Sequence, residues 1–218
     1  MTRGRTGASF VAELVPHGRG MALRPAFEAG PEVALLKARR KDARMGDLVT
    51  ARLKGGGAEV VAIHGPSRLP GAAIRALVAH EDLGHGFGAK VRDEADQAAR
   101  GAEVMEPDRR DMRDQRVITI DPEGAKDHDD AIAVARDGEG IRLWVHIADV
   151  SSFVKAGGAV DHEAERRACS TYLPGTVDPM LPERLSNDVC SLRPGVDRKA
   201  LTAEMLVMPD GTVTGEAF

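Results

Sequence analysis

The sequence predicts an α+β protein: a small N-terminal OB-like β-barrel, a short helical bridge, and then the N-terminal portion of a mixed α/β domain. Short β patterns separated by Gly, Pro and charged residues fill the chain up to residue 63. Helical spacing of apolar residues then replaces them, and alternating strand patterns return from residue 117. We predict the barrel at 1–65, the helical connector at 66–107 and the second domain at 108–218.

Four short strands are expected in the barrel, as is typical of small barrels of the OB type. They cover 10–15, 33–36, 47–53 and 59–63. Barrels that bind single-stranded nucleic acid usually add aromatic platforms on which bases stack. Because only Phe10 and Phe27 are available in this segment, we expect little base stacking there.

Two helices are expected in the connector. The first opens at Pro70, and its apolar residues recur at helical spacing until the glycine-rich stretch Gly84–Gly88 breaks it. The second runs from about 90 to 100 and ends at Gly101. The glycine-rich stretch has neither the preceding strand nor the spacing of a dinucleotide-binding loop, so it is interpreted as a plain loop.

The second domain opens with a β-branched segment, Val117–Ile120, which is predicted as a strand that ends at Asp121. Further elements follow along the chain. They are a hairpin that turns at Asp137–Gly138, a helix N-capped by Asp161 that continues to about Cys169, and a final strand at Leu201–Val207 before a turn.

Charge is unevenly placed along the chain, although the net charge is only −4. Residues 1–54 hold 11 Lys and Arg against 5 Asp and Glu, whereas the remainder holds 19 against 29. This distribution suggests that the basic N-terminal segment contacts a polyanion and that the acidic remainder binds cations. The alternative is that the basic residues are only solvated.

Composition indicates a soluble globular protein of the cytoplasm. The hydrophobic fraction is 42%, no run approaches the ~20 apolar residues of a membrane span, and the first residues lack a secretory signal. Two cysteines, Cys169 and Cys190, form neither a disulfide framework nor a zinc cage. We interpret both as small buried hydrophobic residues.

The sharpest feature is a group of four aspartates within ten residues, Asp121, Asp127, Asp129 and Asp130. Hard divalent cations prefer such oxygen ligands, and Mg²⁺ combines carboxylates with water and substrate phosphate. Two carboxylates ~5 Å apart repel by roughly 3 kcal/mol at an effective dielectric of 20. Four convergent aspartates would therefore require protons or cations.

The alternative for this segment is a turn in which aspartate side chains bond to nearby backbone groups. A calcium hand is excluded, because its loop needs acceptors at positions 1, 3 and 5 and Gly at position 6. Counted from Asp127, those last two positions are Ala131 and Ile132. Strand alternation would turn His128 away from Asp127 and Asp129, so a structural role is expected for it.

Residues 108–207 resemble the catalytic domain shared by ribonuclease II, ribonuclease R and the exosome nuclease of eukaryotes, the RNB domain. Each block is short, and together they keep family-like order and spacing. The blocks are Arg110–Arg113, Thr119–Ala131, Val145–Ser151, Thr171–Pro174, Pro179–Glu183, Leu185–Asn187, Cys190–Leu192 and Val196–Arg198. Residues 8–63 resemble the small RNA-binding barrel of that family more loosely.

The resemblance implies processive 3′→5′ hydrolysis of single-stranded RNA to 5′-mononucleotides with Mg²⁺, or with Mn²⁺ in its place. It implies metal ligation by Asp121, Asp127, Asp129 and Asp130, with Asp129 and Asp130 in the catalytic role and Asp129 closest to the reacting end. It implies neither a small-molecule cofactor nor a membrane partner. A full-length protein of this kind is expected to be a monomer.

Tyr172 matches the aromatic residue that stacks near the terminal nucleotide in the family, and it is the only tyrosine of the chain. Stacking is tolerant of base identity. The alternative is a core-edge tyrosine whose hydroxyl is hydrogen-bonded. Asn187, Cys190 and Ser191 are expected to tie a turn together through side-chain hydrogen bonds and are not expected to be catalytic.

The catalytic domain of the family continues beyond the point that corresponds to Phe218, where it supplies a later arginine and glutamate and a C-terminal RNA-binding barrel. We therefore expect a truncated product, an expression fragment or a partial gene, with impaired hydrolysis. The alternative function is a catalytically inactive RNA-binding or regulatory remnant of the family.

Overall fold

The computed structural model describes residues 8–36, 42–102 and 106–217, and the chain divides into two compact units. The first unit runs to Gly86 and includes Tyr172–Asp178, and the second holds Phe87–Thr171 and the chain from Pro179 onward. The division falls inside the predicted connector, so its two helices belong to different units. The three-part division at 65 and 107 stays a prediction.

The first unit is built on a five-stranded antiparallel sheet in the order β3-β2-β1-β4-β5. Four strands confirm the sequence prediction, whereas β2 was not predicted. The strands are β1 Ser9–His17, β2 Gly20–Pro25, β3 Val33–Ala34, β4 Asp47–Lys54 and β5 Gly57–Pro66.

The two edges of this sheet come together at one bridge. A parallel bridge joins Leu35, just after β3, to Ala58 of β5, and Leu36 N donates to Ala58 O at 3.0 Å. Gly57 allows this approach, because a Cβ there would lie 2.7 Å from Ala34 O. The α+β class with a small N-terminal β domain is therefore confirmed.

Small apolar side chains form the core of the first unit. Leu14, Leu23 and Val49 are fully buried among alanines, and Phe10 packs against them. Helix α1 (Pro70–His80) begins at the proline predicted for it and buries Ala76 against β1 and β4. Because Phe10 belongs to this core, it offers no exposed platform for a base.

The second unit combines a four-stranded antiparallel sheet, in the order β11-β10-β7-β6, with two helices. None of the described helices is long and apolar enough to span a membrane. Its elements, together with the short hairpin β8–β9, follow in chain order. They are α2 Ala89–Arg100, β6 Asp130–Asp137, β7 Gly140–Ala148, a 3₁₀ turn Val150–Ser152, α3 Ala159–Arg167, β8 Thr171–Leu173, β9 Thr176–Asp178, a π-helical turn Leu185–Val189, β10 Ala200–Val207 and β11 Val213–Ala217.

Two local predictions for this unit are wrong. Val117–Ile120 is not a regular strand, since only Ile118 forms a bridge, to Ile132, and Ile120 is 81% exposed. Helix α3 is N-capped by Gly158 instead of Asp161, which lies in the first turn and accepts a hydrogen bond from Gly157 N. The predicted hairpin and the final strand are confirmed by β6, β7 and β10.

The four-stranded sheet has one packed face and one open face. Paired residues on neighbouring strands share a face, and Ala131, His146 and Thr202 are buried together on the packed one. The opposite side, which we call the open face, carries large apolar side chains that are about half exposed. These are Val134, Ile141, Ile147, Leu201 and Val213.

Candidate active site

The four aspartates lie in one segment of the second unit, between the bridge at Ile118 and the start of β6. Only Asp130 belongs to a strand, where it pairs with Ile147 and so shares the open face. Asp127 and Asp129 precede the strand, so strand alternation does not determine their directions. Asp129 and Asp130 are exposed, whereas Asp121 and Asp127 are partly buried.

The backbone of this segment is held by hydrogen bonds from two directions. Ala148 N of β7 donates to Asp129 O at 2.9 Å. From the turn after the π-helical segment, Leu192 N donates to His128 O at 2.7 Å. Ser191 Oγ donates to Lys126 O at 2.7 Å and accepts from His128 N at 3.2 Å. The segment is therefore fixed although it has no regular secondary structure.

His128 is paired with Asp121, a contact that alternation did not predict. The distance from His128 Nδ1 to Asp121 Oδ2 is 2.8 Å, and both side chains are largely buried. This hydrogen bond, followed by one with Thr119, lowers the pKa of Asp121 from its usual value. Because Asp127–Asp129 is irregular, His128 can turn toward the earlier aspartate.

The arrangement does not gather the predicted metal ligands. Among the residues that the structure describes, no three His, Cys, Asp or Glu side chains come together in a way that could hold a metal ion. Carboxylate oxygens are the donors that Mg²⁺ prefers, so the donor set suits the ion in kind. The metal site at Asp121, Asp127, Asp129 and Asp130 stays a prediction, as does the identity of the ion.

Asp149 forms a second charged centre that the sequence analysis did not single out. Burial alone would raise its pKa, but hydrogen bonds from Ser151, Ser152 and Arg109 lower it well below its usual value. The distance from Arg109 Nη2 to Asp149 Oδ2 is 2.6 Å. Asp149 therefore stays ionised and ties the segment around Arg109 to the end of β7.

Asp188 is surrounded by arginines. Arg184 and Arg193 lie 2.5 and 2.6 Å from its carboxylate, and Arg198 lies 3.8 Å away. Nearby, burial raises the pKa of the Cys190 thiol to about 12, so this buried cysteine is not a thiolate ligand. The interpretation of Cys169 as buried is wrong, because that residue is exposed.

Tyr172 lies on β8, within the first compact unit, and its side chain is 63% exposed. At this exposure the side chain is not enclosed in a core. An exposed aromatic face is available to stack with a base. The proposed role of Tyr172 in RNA binding stays a prediction.

Comparison with known proteins shows which family the chain is similar to. The family model of the RNB domain matches residues 109–218. Ribonuclease R of Vibrio cholerae serotype O1 is 39% identical over 185 residues, which are 81% of this chain and 22% of that protein. Across the first relatives matched, the chain spans between 15% and 22% of their length.

Solved structures show the same fold. Mycoplasma genitalium RNase R, in complex with ribose methylated single-stranded RNA, superposes with a TM-score of 0.73 and 22% identity, over 99% of this chain and 36% of that one. Yeast Ssd1, a pseudonuclease, superposes with a TM-score of 0.65 and 16% identity, over all of this chain and 30% of that one. With the family model matching residues 109–218, the chain belongs to the RNB domain family.

Proposed function

We propose that the chain carries the aspartate segment of a 3′→5′ exoribonuclease that hydrolyses single-stranded RNA processively to 5′-mononucleotides with Mg²⁺. Family membership supports the reaction class. The RNA-bound state of a protein with the same fold supports the substrate. The observation that carries the proposal is the fixed segment in which Asp127, Asp129 and Asp130 follow one another at the start of β6.

In this proposal Asp121, Asp127, Asp129 and Asp130 hold the ion. When bound, Mg²⁺ would lower the pKa of a water molecule and offset the charge of the reacting phosphate. The contribution of the chain itself is to fix the backbone of the segment and to leave the side chains of Asp129 and Asp130 exposed to a ligand. Tyr172 would stack against a base of the RNA.

The second candidate is an RNA-binding or regulatory module without hydrolysis. Two observations favour it: the carboxylate of Asp121 is engaged by His128, and no three potential ligands gather among the described residues. A pseudonuclease shares the fold. The two candidates agree on RNA binding and differ on hydrolysis and on whether a divalent cation binds.

Thermal unfolding with and without Mn²⁺ separates them. A ligand that binds only the native state stabilises it, by about 1.4 kcal/mol at about ten times its Kd. We expect Mn²⁺ to raise the Tm of the chain and Asp129→Asn to abolish this rise while keeping the Tm measured without metal. Asp114→Asn, an exposed aspartate outside the segment, is the matched control.

Hydrolysis is then measured on a labelled single-stranded RNA with the same three proteins. Release of mononucleotides from the 3′ end that depends on Asp129 and on metal supports the nuclease. RNA binding with no metal-induced rise in Tm and no release supports the second candidate.

A further inference from the structure

Ser191 reaches the aspartate segment from far away in the sequence. The residue is fully buried. Its hydroxyl donates to Lys126 O at 2.7 Å and accepts from His128 N at 3.2 Å. These two peptide groups lie on either side of Asp127, so a single side chain brackets this aspartate.

The hydroxyl of Ser191 is not used within its own turn. The Ser191 N–H bonds to Asp188 O, and Ser191 O accepts from Arg198 Nε at 2.9 Å. The backbone groups of Ser191 thus hold the turn, and its side chain is left for the other segment. A serine hydroxyl is one donor and also an acceptor, and here both capacities are directed at the peptides around Asp127.

We propose that Ser191 is a positioning residue for the aspartate segment, acting through the backbone on both sides of Asp127. It removes rotational freedom from the two peptide groups that set the direction of the Asp127 side chain. Removing a group that orients a metal ligand typically lowers the affinity for the metal 10–100-fold. The expected effect of Ser191 on metal binding rests on the proposed function. Its positioning of the backbone around Asp127 does not.

The test compares Ser191→Ala with Thr202→Val. Thr202 is also a buried hydroxyl of the second unit, but it bonds to His146 Nδ1 at 2.9 Å and not to the aspartate segment. Mn²⁺ affinity is measured by electron paramagnetic resonance, and amide hydrogen exchange is followed along the chain. We expect Ser191→Ala to weaken Mn²⁺ binding at least about tenfold and to speed exchange selectively at residues 126–129.

Thr202→Val should lower the Tm and leave both Mn²⁺ affinity and exchange in that segment close to wild type. Equal Mn²⁺ affinity in Ser191→Ala and wild type, with unchanged exchange at His128, would overturn the inference. If the wild-type chain binds no Mn²⁺, the proposed metal site fails, and exchange alone decides about Ser191. Selective acceleration at 126–129 then supports positioning, and a uniform change over the unit overturns it.

A second variant covers the case in which Ser191→Ala does not fold. Arg198→Lys keeps the charge but removes the Nε donor to Ser191 O. We expect the same selective change at 126–129, smaller in size. Wild-type exchange in that segment would overturn the inference.

Discussion

Glu163 links two arginines of its own helix, and one of them reaches beyond the helix. Its carboxylate accepts from Arg166 Nη2 at 2.6 Å and from Arg167 Nε at 2.7 Å. Arg167 is almost fully buried, lies 4.1 Å from the centre of the Phe87 ring and donates to Pro179 O. Together the two arginines lower the pKa of Glu163 to about 2. The charge of Glu163 therefore supports contacts that hold α3 in the second unit.

The pH dependence of stability follows from the sign of this shift. Because the pKa is lower in the folded chain, Glu163 stabilises it fully above about pH 4.5, and this contribution is lost as pH falls toward 2. We expect Glu163→Gln to reduce the free energy of unfolding at pH 7 by about 1–2 kcal/mol. The variant should also lose less stability than wild type between pH 4.5 and 2 in urea titrations.

Glu165→Gln is the matched control for this prediction, since the Glu165 side chain is on the same helix and 84% exposed. It should leave both the stability and its pH dependence unchanged. Identical acid profiles for wild type and Glu163→Gln would contradict the assignment.

At the level of elements, α3 owes its N-terminal cap to a different helix. The helix begins after Gly158, and the carboxylate of Glu94 on α2 accepts from Ala159 N at 2.8 Å and from Val160 N at 3.1 Å. A Cβ at Gly158 would lie 2.4 Å from Glu94 Oε1, so only glycine leaves room for this approach. These bonds lower the pKa of Glu94 and join the two helices.

Removing this cap should loosen α3. Loss of an N-cap acceptor typically costs about 1 kcal/mol, so we expect Glu94→Ala to lower the free energy of urea unfolding by about that amount. Glu94→Gln keeps a carbonyl acceptor and should lose less. An equal loss in both variants would show that the charge, and not the acceptor, is what stabilises the helix.

The cap that Glu94 provides for α3 illustrates which features of the fold could be predicted from the sequence and which could not. Strands β1 and β4 were predictable because their short β patterns lie between Gly, Pro and charged residues, and β7 because its apolar residues alternate. Strand β2 was missed because only Ala22 and Leu23 of its six residues are buried. Glu94 lies more than 60 residues before the helix that it caps, and no local pattern carries such a contact.

One part of the candidate site was also predictable from the sequence, and another part was not. The four aspartates were recognisable in the sequence, because carboxylates at such density would repel one another if their side chains came together. Their supports were not visible, since Ser191 contacts Lys126 and His128 across more than 60 residues. The pairing of Asp121 with His128 depends on the irregular path of the segment, which alternation cannot describe.

At the level of the whole chain, the basic N-terminal segment is only partly described. Six of its 11 basic residues lie outside the described residues, namely Arg3, Arg5, Lys37, Arg39, Arg40 and Lys41. The described part of residues 8–54 contains β1–β4 of the first unit and the loops between them. Its interpretation as a polyanion contact stays a prediction, as does the cytoplasmic location of the protein.

The open face of the second unit has a consequence for how the chain behaves in solution. Its half-exposed residues, among them Ile147 and Leu201, which pair across β7 and β10, form an apolar surface on one side of the sheet. Surfaces of this kind on soluble proteins usually mark interaction sites or cause association.

We therefore expect the purified chain to self-associate through the open face as its concentration rises. Leu201→Lys places a charge on this face beside Ile147 of β7, where Leu201 is 57% exposed, and should weaken association about tenfold or more. Burying a leucine contributes about 1.5–3 kcal/mol, and about 1.4 kcal/mol already corresponds to a tenfold change in Kd. Val196→Lys adds the same charge at a residue of similar exposure, 45%, that lies outside the strands. Sedimentation velocity over a concentration series checks the expectation, and equal weakening by the two variants would show that net charge, not the open face, controls association.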